Sequence, residues 1–259
     1  MPDLNHKDLA PQRWDRLRGL LRQNRVVRVE ELCRELKASP ATVRRDLEQL
    51  AERGEVQRVH GGAVSVESRL EEPLFDAKTS IATKEKHRIA QAALEFVKPG
   101  HTIYLDGGST VLELARLLHD HTNLTVVTNS LRAAIELAGR GPRLILVGGE
   151  LRRLSQTIVG PLTQQTLGGL RVDTAFMGTM GLGLKEGLTT TDPGEAYTKK
   201  LVMDQAGQVV VLADSSKAGK VVFANAGGWD NVDLLITDAK ITKEFVRELT
   251  KQETRIVKV

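Results

Sequence analysis

A chain of 259 residues with 41% hydrophobic content has room for one large domain, or for a small domain joined to a larger one, and is apolar enough to build cores. Aromatics make up only 3%, so Leu, Val, Ile and Ala must fill those cores. The net charge of +4 is uneven: residues 1–66 carry 13 Lys and Arg against 10 Asp and Glu, and the remainder 24 against 23, so the excess lies in the first quarter of the chain.

Residues 1–10 are polar, with scattered charges and no signal-peptide pattern, and a cytoplasmic protein is expected. No apolar run approaches the roughly 20 residues of a membrane helix, so no membrane contact is expected. Trp14, Leu17 and Leu21 recur at helical spacing. Six arginines between Arg13 and Arg28 fit either DNA phosphates or a solvated helix face. Val29, Leu32, Cys33 and Leu36 share the inner face of a second helix. Cys33 is the only cysteine, which excludes an internal disulfide or a cysteine zinc cage.

After the turn Lys37-Ala38 comes a third helix. Ser39 is its cap and Pro40 its first residue, where a missing N–H costs nothing. Val43, Leu47 and Leu50 fall at i, i+4 and i+7 and form an inward stripe. Arg45 points the opposite way, flanked by Ala41, Thr42 and Arg44. Arginine over small, methyl-bearing residues suits the major groove, because arginine pairs bidentately with guanine and methyls touch thymine. The helix alone also fits a surface helix with Arg44 and Glu48 paired at i, i+4. The second helix and short turn before it give the helix-turn-helix spacing, with this helix as reader. Gly54 ends it, residues 55–59 form a strand, His60-Gly61-Gly62 a turn, and residues 63–66 a returning strand. This predicts a winged helix-turn-helix over residues 1–66, with Arg58 and His60 placed to reach phosphates or a minor groove.

Residues 67–79 are charged and contain Pro73, and read as a linker. Residues 80–259 then alternate helices with short apolar strands, placed at Thr102–Leu105, 124–127, 143–147, 172–176, 209–213 and Leu234–Thr237. Such strands predict a parallel sheet covered on both faces, with ligands bound beyond the strands' carboxyl ends. Those ends carry related chemistry. Asp106-Gly107-Gly108-Ser109-Thr110 opens a helix, where glycines allow close backbone approach and free N–H groups attract an anion. The stretch fits equally a tight turn with a capping serine. Thr128-Asn129-Ser130 follows the second strand and Gly148-Gly149 the third. Asp214-Ser215-Ser216-Lys217 follows a later strand, with Lys217 as a compact charge for a phosphate or simply a surface lysine. Glu195 and Lys199 have the spacing of a surface ion pair. His119-Asp120-His121 lacks a third distant ligand, the glycines of residues 178–183 miss the dinucleotide spacing, and no Walker lysine follows a glycine loop, so neither metal nor cofactor is expected.

Thr42-Val43-Arg44-Arg45-Asp46-Leu47 followed by Arg58-Val59-His60-Gly61-Gly62-Ala63 resembles the DeoR family of bacterial transcriptional regulators. The resemblance covers nearly the whole chain. Family motifs match at Asp106, Gly108 and Thr110; at Thr128 to Ser130; at Gly148 and Gly149; at Glu195, Ala196 and Lys199; and at Asp214 to Lys217. The resemblance implies a sensor domain sharing its fold with ribose-5-phosphate isomerase and CoA-transferase-type proteins. It implies a phosphorylated sugar or related effector, with Asp106 on sugar hydroxyls. Tyr197-Thr198 departs from the charged or aliphatic residues that the family often has there, a departure expected to tune ligand choice. The expected protein is a homo-oligomeric regulator, a dimer or tetramer, that binds double-stranded operator DNA, a repressor of sugar metabolism released by its effector. Two alternatives stand beside it: an active phosphosugar isomerase fused to a DNA-binding domain, with Asp106 or Glu195 as base, and an architectural DNA binder without a ligand.

Overall fold

The computed structural model describes residues 10–23, 26–52, 56–59, 62–65 and 72–259. Gly54, His60 and Gly61 and residues 67–71 lie outside them. The chain divides into two units, Met1–Ser68 and Arg69–Val259.

The first unit runs α1 (Ala10–Gln23), β1 (Val26–Arg28), α2 (Val29–Glu35), α3 (Pro40–Glu52), β2 (Val56–Val59) and β3 (Gly62–Ser65). Leu17, Leu21, Leu32, Leu36, Val43, Leu47 and Leu50 are buried together, so the three apolar stripes meet as their spacing predicts. Ser39 Oγ accepts the Thr42 N–H at 3.2 Å and caps α3. The strand β1 has no sequence signal, being three residues between two helices. It pairs antiparallel with β3, which pairs antiparallel with β2. Gly62 makes the first pairing possible: a Cβ there would stand 2.4 Å from the Val27 carbonyl oxygen. Arg13 is part of the fold. Its Nε lies 2.6 Å from Asp46 Oδ2, and Trp14 Nε1 donates to Asp46 Oδ1 at 2.9 Å.

The second unit begins with α4 (Phe75–Thr79) and α5 (Thr83–Ala93), followed by β4 (Thr102–Leu105), α6 (Ser109–Arg116), β5 (Thr125–Thr128), α7 (Leu131–Leu137) and β6 (Arg143–Leu146). A hairpin of β7 (Glu150–Arg152) and β8 (Thr157–Val159) leads to α8 (Pro161–Gly168) and β9 (Val172–Met177). Then come β10 (Gly181–Gly183), β11 (Gly187–Thr190), α9 (Pro193–Gln205), β12 (Ala206–Leu212), β13 (Ala224–Gly227), β14 (Leu234–Thr237), α10 (Lys243–Thr250) and β15 (Arg255–Lys258). Seven strands form one parallel sheet in the order β15-β14-β12-β9-β4-β5-β6.

Side chains alternate between two cores across this sheet. Ile103, Leu105, Phe176, Val210, Leu212, Leu234 and Ile236 face one core, under α5, α6 and α7. Tyr104, Ala175, Met177, Val209, Val211 and Leu235 face the other, under α8, α9 and α10. Burial on both faces is why the strands read as unbroken apolar runs. The strand order reverses between β4 and β9, and ligands favour the crevice beyond such a switch point.

Residues 72–79, read as linker, belong to the second unit. Phe75 is buried in the core with Ile89 and Leu112, and Glu72 is also buried. One aromatic residue with a core to enter outweighs the charged composition around it. Lys86 fixes this segment from α5. Its Nζ donates to the carbonyls of Lys78 and Ile81. Burial pushes the Lys86 ammonium from 10.5 down to about 8, with Asp214 pulling it up and Lys217 pushing it further down. Between those values the unfolded chain holds a proton that the folded chain does not, so stability gains as pH rises from 8 towards 10.5. The melting temperature of wild type relative to Lys86→Met should climb over that window and stay level below it. A difference that is flat from pH 7 to 10 contradicts this.

Candidate functional site

The DNA-facing candidates that the structure describes lie at the surface of the winged unit. Ser39, Pro40, Ala41, Arg44 and Arg45 are exposed and Thr42 is partly so. Neither Arg44 nor Arg45 has an ion-pair partner among the described residues. Glu48, the spacing partner of Arg44, pairs instead with Arg58, at 2.6 Å between Oε1 and Nη1. Both partners are exposed, where such a pair is worth about 0–1 kcal/mol, so a phosphate can draw the guanidinium away at little cost.

In the second unit a cavity opens at the switch point. Of the sequence candidates, Asp106, Gly107, Gly108, Ser109, Thr110, Asn129, Glu195, Lys199 and Lys217 line it. Gly108 has φ +139° at the N-cap of α6, a conformation for which glycine is suited. A Cβ on Gly107 would stand 2.0 Å from Thr157 Cγ2, so the loop touches the β7–β8 hairpin. The first N–H groups of α6 thereby border the cavity, giving it one electropositive wall.

Glu195 and Lys199 are not a surface pair. Both are buried, and they turn to different partners. Lys199 Nζ bonds Asp106 Oδ2 and the Gly178 carbonyl, the latter at 3.1 Å. Asp106 Oδ2 also accepts the Gly178 N–H at 2.9 Å, which ties the end of β4 to the end of β9. Burial pushes the Asp106 carboxyl up against the pull of Lys199. Glu195 Oε1 accepts from Thr157 Oγ1 at 2.8 Å and lies 3.4 Å from Arg152 Nη1, while its Oε2 accepts from Thr190 Oγ1 at 3.1 Å. Both carboxylates are thus engaged by neighbours within the cavity wall.

Five candidates stand behind the cavity wall. Thr128 Oγ1 donates to the Leu105 carbonyl at 2.6 Å and accepts the Ser130 N–H at 3.0 Å. Ser130 Oγ caps α7 by accepting the Ala133 N–H at 3.2 Å. The Gly148 carbonyl takes Thr163 Oγ1 at 2.9 Å, and a Cβ on Gly149 would stand 2.7 Å from the Val159 carbonyl oxygen. Asp214 Oδ1 accepts the Ser216 N–H at 3.0 Å and shapes the turn that carries Lys217. These residues build the strand ends. Asn129 alone of its trio reaches the wall, held by Tyr104 Oη at 2.7 Å and the Ile158 carbonyl at 2.9 Å. Tyr197 is 56% exposed and Thr198 is buried, its hydroxyl on the Gly194 carbonyl, so neither lines the cavity.

Sequence reasoning passed over Glu72, Lys78, Ser155, Thr157, Gly178, Thr179 and Thr190, all on the wall. Most lie on three- or four-residue strands or their turns, too short to announce themselves. Glu72 Oε1 lies 2.7 Å from Lys78 Nζ, and Glu72 Oε2 lies 2.8 Å from Arg152 Nη1 and accepts from Thr191 Oγ1 at 2.6 Å. Of the three lysines on the wall, Lys78 and Lys199 are thus already paired. The Lys217 side chain makes no hydrogen bond or ion pair to another described residue, and burial pushes its ammonium down despite the pull of Asp214. Among the described residues no cluster of three or more His, Cys, Asp or Glu is placed to hold a metal, and no helix is long and apolar enough to cross a membrane.

Two family models match the chain: the DeoR-like helix-turn-helix domain over residues 13–69 and the DeoR C terminal sensor domain over residues 81–239. The HTH-type transcriptional regulator GlpR of Haloferax volcanii is 36% identical over 229 residues, 88% of this chain and 90% of the relative. The glycerol-3-phosphate regulon repressor of Escherichia coli is 34% identical over 246 residues, 95% of this chain and 97% of the relative. Among solved structures, ribose 5-phosphate isomerase A of Methanocaldococcus jannaschii overlaps 52% of this chain and 54% of its own, at 23% identity and a TM-score of 0.40. The curated relatives are regulators, not enzymes, which sets the isomerase alternative aside. The chain belongs to the DeoR family of helix-turn-helix transcriptional regulators.

Proposed function

We propose that the protein is a repressor of a sugar-metabolism operon. It binds operator DNA through α3 as a homo-oligomer and is released when a phosphorylated sugar or a related phosphorylated metabolite occupies the cavity at the β4–β9 switch point. The observation that carries this reading is Lys217, an ammonium on the cavity wall with no ion-pair partner among the described residues, in a cavity also bordered by the amino end of α6. A cation and a set of free N–H donors are the two things a phosphate needs. The wall's hydroxyls and amide, from Ser109, Thr110, Ser155, Thr179 and Asn129, offer partners for sugar hydroxyls. The E. coli relative's name, which carries glycerol 3-phosphate, points to the same ligand class. The arginine-bearing face of α3 supports the operator role.

The test is a calorimetric titration of a panel of sugar phosphates and glycerol 3-phosphate, alongside DNA binding with and without each. The DNA is duplex selected by the protein from a random pool. At least one phosphorylated compound should bind and release the DNA. Lys217→Ala should bind it at least about tenfold more weakly, the worth of one hydrogen bond to a charged group, and stay on the DNA. Equal affinity in the variant, or no binding by any member of the panel, overturns the reading.

A further inference from the structure

The cavity's charges balance before any ligand enters. Lys78, Lys199 and Lys217 face Glu72, Asp106 and Glu195. A phosphate monoester brings about 1.5 to 2 negative charges at neutral pH. Lys217 offsets one of them, so a second cation must come from a pair already made. The Lys199–Asp106 pair is a poor source, because the Gly178 carbonyl and N–H hold both of its ends. The Lys78–Glu72 pair is the better one. Lys78 belongs to the short α4, and Glu72 lies three residues before that helix begins.

Glu72 also sits at an informative place in the chain. It is four residues past Ser68, where the DNA-binding unit ends. Its side chain is 1% exposed, and it holds three groups at once: Lys78, Arg152 on the hairpin and Thr191 after β11. A carboxylate between an ammonium and a guanidinium presents what a bound phosphate presents: paired anionic oxygens. Burial pushes Glu72 up, but Lys78, Thr191 and Arg152 together hold it below the ordinary carboxylate value, so it is charged at neutral pH.

Resting on the proposed phosphate site, we infer that Glu72 is an internal stand-in for the effector's phosphate: the incoming anion takes Lys78 from Glu72, which leaves Glu72 to Arg152 and Thr191 and loosens the segment that leads to the DNA-binding unit. Effector occupancy is thereby converted into a change in how that tether is held. A ligand shifts an equilibrium only through contacts that differ between two states, and the Lys78 contact differs in this way, with Glu72 in one state and with phosphate in the other.

The inference predicts opposite effects from the two halves of one ion pair. Inorganic phosphate serves as probe, titrated into the full-length chain against chloride at equal ionic strength. Hydrogen exchange is followed in the peptide covering residues 72–79. Glu72→Gln removes the competitor and should bind phosphate about tenfold more tightly than wild type, since one charge-assisted hydrogen bond no longer has to be displaced. Lys78→Met removes the ligand's partner and should bind about tenfold more weakly. Both variants should exchange faster than wild type in that peptide without phosphate, and wild type should reach the faster rate when phosphate saturates it. A purely structural pair would move phosphate affinity in the same direction in both variants, or in neither, and that result overturns the inference. Lys217→Ala separates the two levels of the argument. If it loses phosphate while Glu72→Gln binds and exchanges as wild type, the site stands and the Glu72 role falls. If it binds as wild type, the site itself is misplaced and both fall.

Discussion

Lys199→Met should cost the sensor unit about 3–5 kcal/mol, the usual penalty for removing one partner of a buried ion pair. Lys199 and Asp106 side chains are 8% and 3% exposed. Without the ammonium, the Asp106 carboxylate keeps the Gly178 N–H as its partner. A methionine fills much the same volume, so the loss reports charge and not a cavity. The pH dependence identifies the cause. Burial already pushes the Asp106 carboxyl up, and with Lys199 gone it rises further. In acid the carboxyl becomes neutral and no longer needs a cation, so the gap between variant and wild type should narrow as pH falls. The double variant Asp106→Asn, Lys199→Met should recover part of the loss, because no charge is left buried alone, and a double-mutant cycle reads that coupling directly. Denaturant unfolding of the full chain, followed at Trp229 in the sensor core, gives the measurement. A loss under about 1 kcal/mol, the level of an exposed pair, would mean the two groups meet in water and not in a buried junction.

The same two residues mark how much of this protein can be read from its sequence. The parallel strands were legible because burial on both faces leaves few polar positions, and Thr102–Leu105 and Leu234–Thr237 were placed to the residue. The strand-end rule then led to Asp106, Gly108 and Lys217, and all three line the cavity. Spacing failed at Glu195 and Lys199. Four residues apart on a helix means adjacent, but it does not say that the helix is buried or that each side chain finds a better partner elsewhere. It failed in the same way at Glu48, whose ion pair goes to the wing and not along α3. Composition failed at Glu72, because a charged stretch with a proline looks the same whether it is a solvated linker or a strap whose charges are paired inside. The hairpin β7–β8 and the sheet of β10, β11 and β13 left no trace, since strands of three or four residues carry no legible period. What was missed is largely non-local pairing, which a single sequence does not print.

Arg45→Ala should weaken binding to specific DNA by about 1–3 kcal/mol, the value of one bidentate arginine–base contact. Arg45 is exposed, lies opposite the buried stripe of Val43, Leu47 and Leu50, and has no ion-pair partner among the described residues. The winged unit should therefore keep its stability, within the roughly 0.5 kcal/mol typical of surface substitutions. Two readouts separate reading a base from holding a phosphate. A base contact makes the loss fall on selected duplex and spares random duplex, so the ratio between them drops. A phosphate contact lowers both alike and takes about 0.9 from the slope of log affinity against log salt. Arg44→Ala is the comparison, since Arg44 is equally exposed but flanks the central position. The duplexes selected by the wild-type protein carry a further consequence. Homo-oligomeric binding requires two related half-sites, spaced by about 34–36 Å or a multiple for a helix-turn-helix dimer. Substituting a guanine in one half-site should reproduce the Arg45→Ala loss in wild type and add nothing in the variant. If the ratio of specific to random binding is unchanged in Arg45→Ala, α3 does not read sequence through this residue, and the assignment of its exposed face fails at its centre.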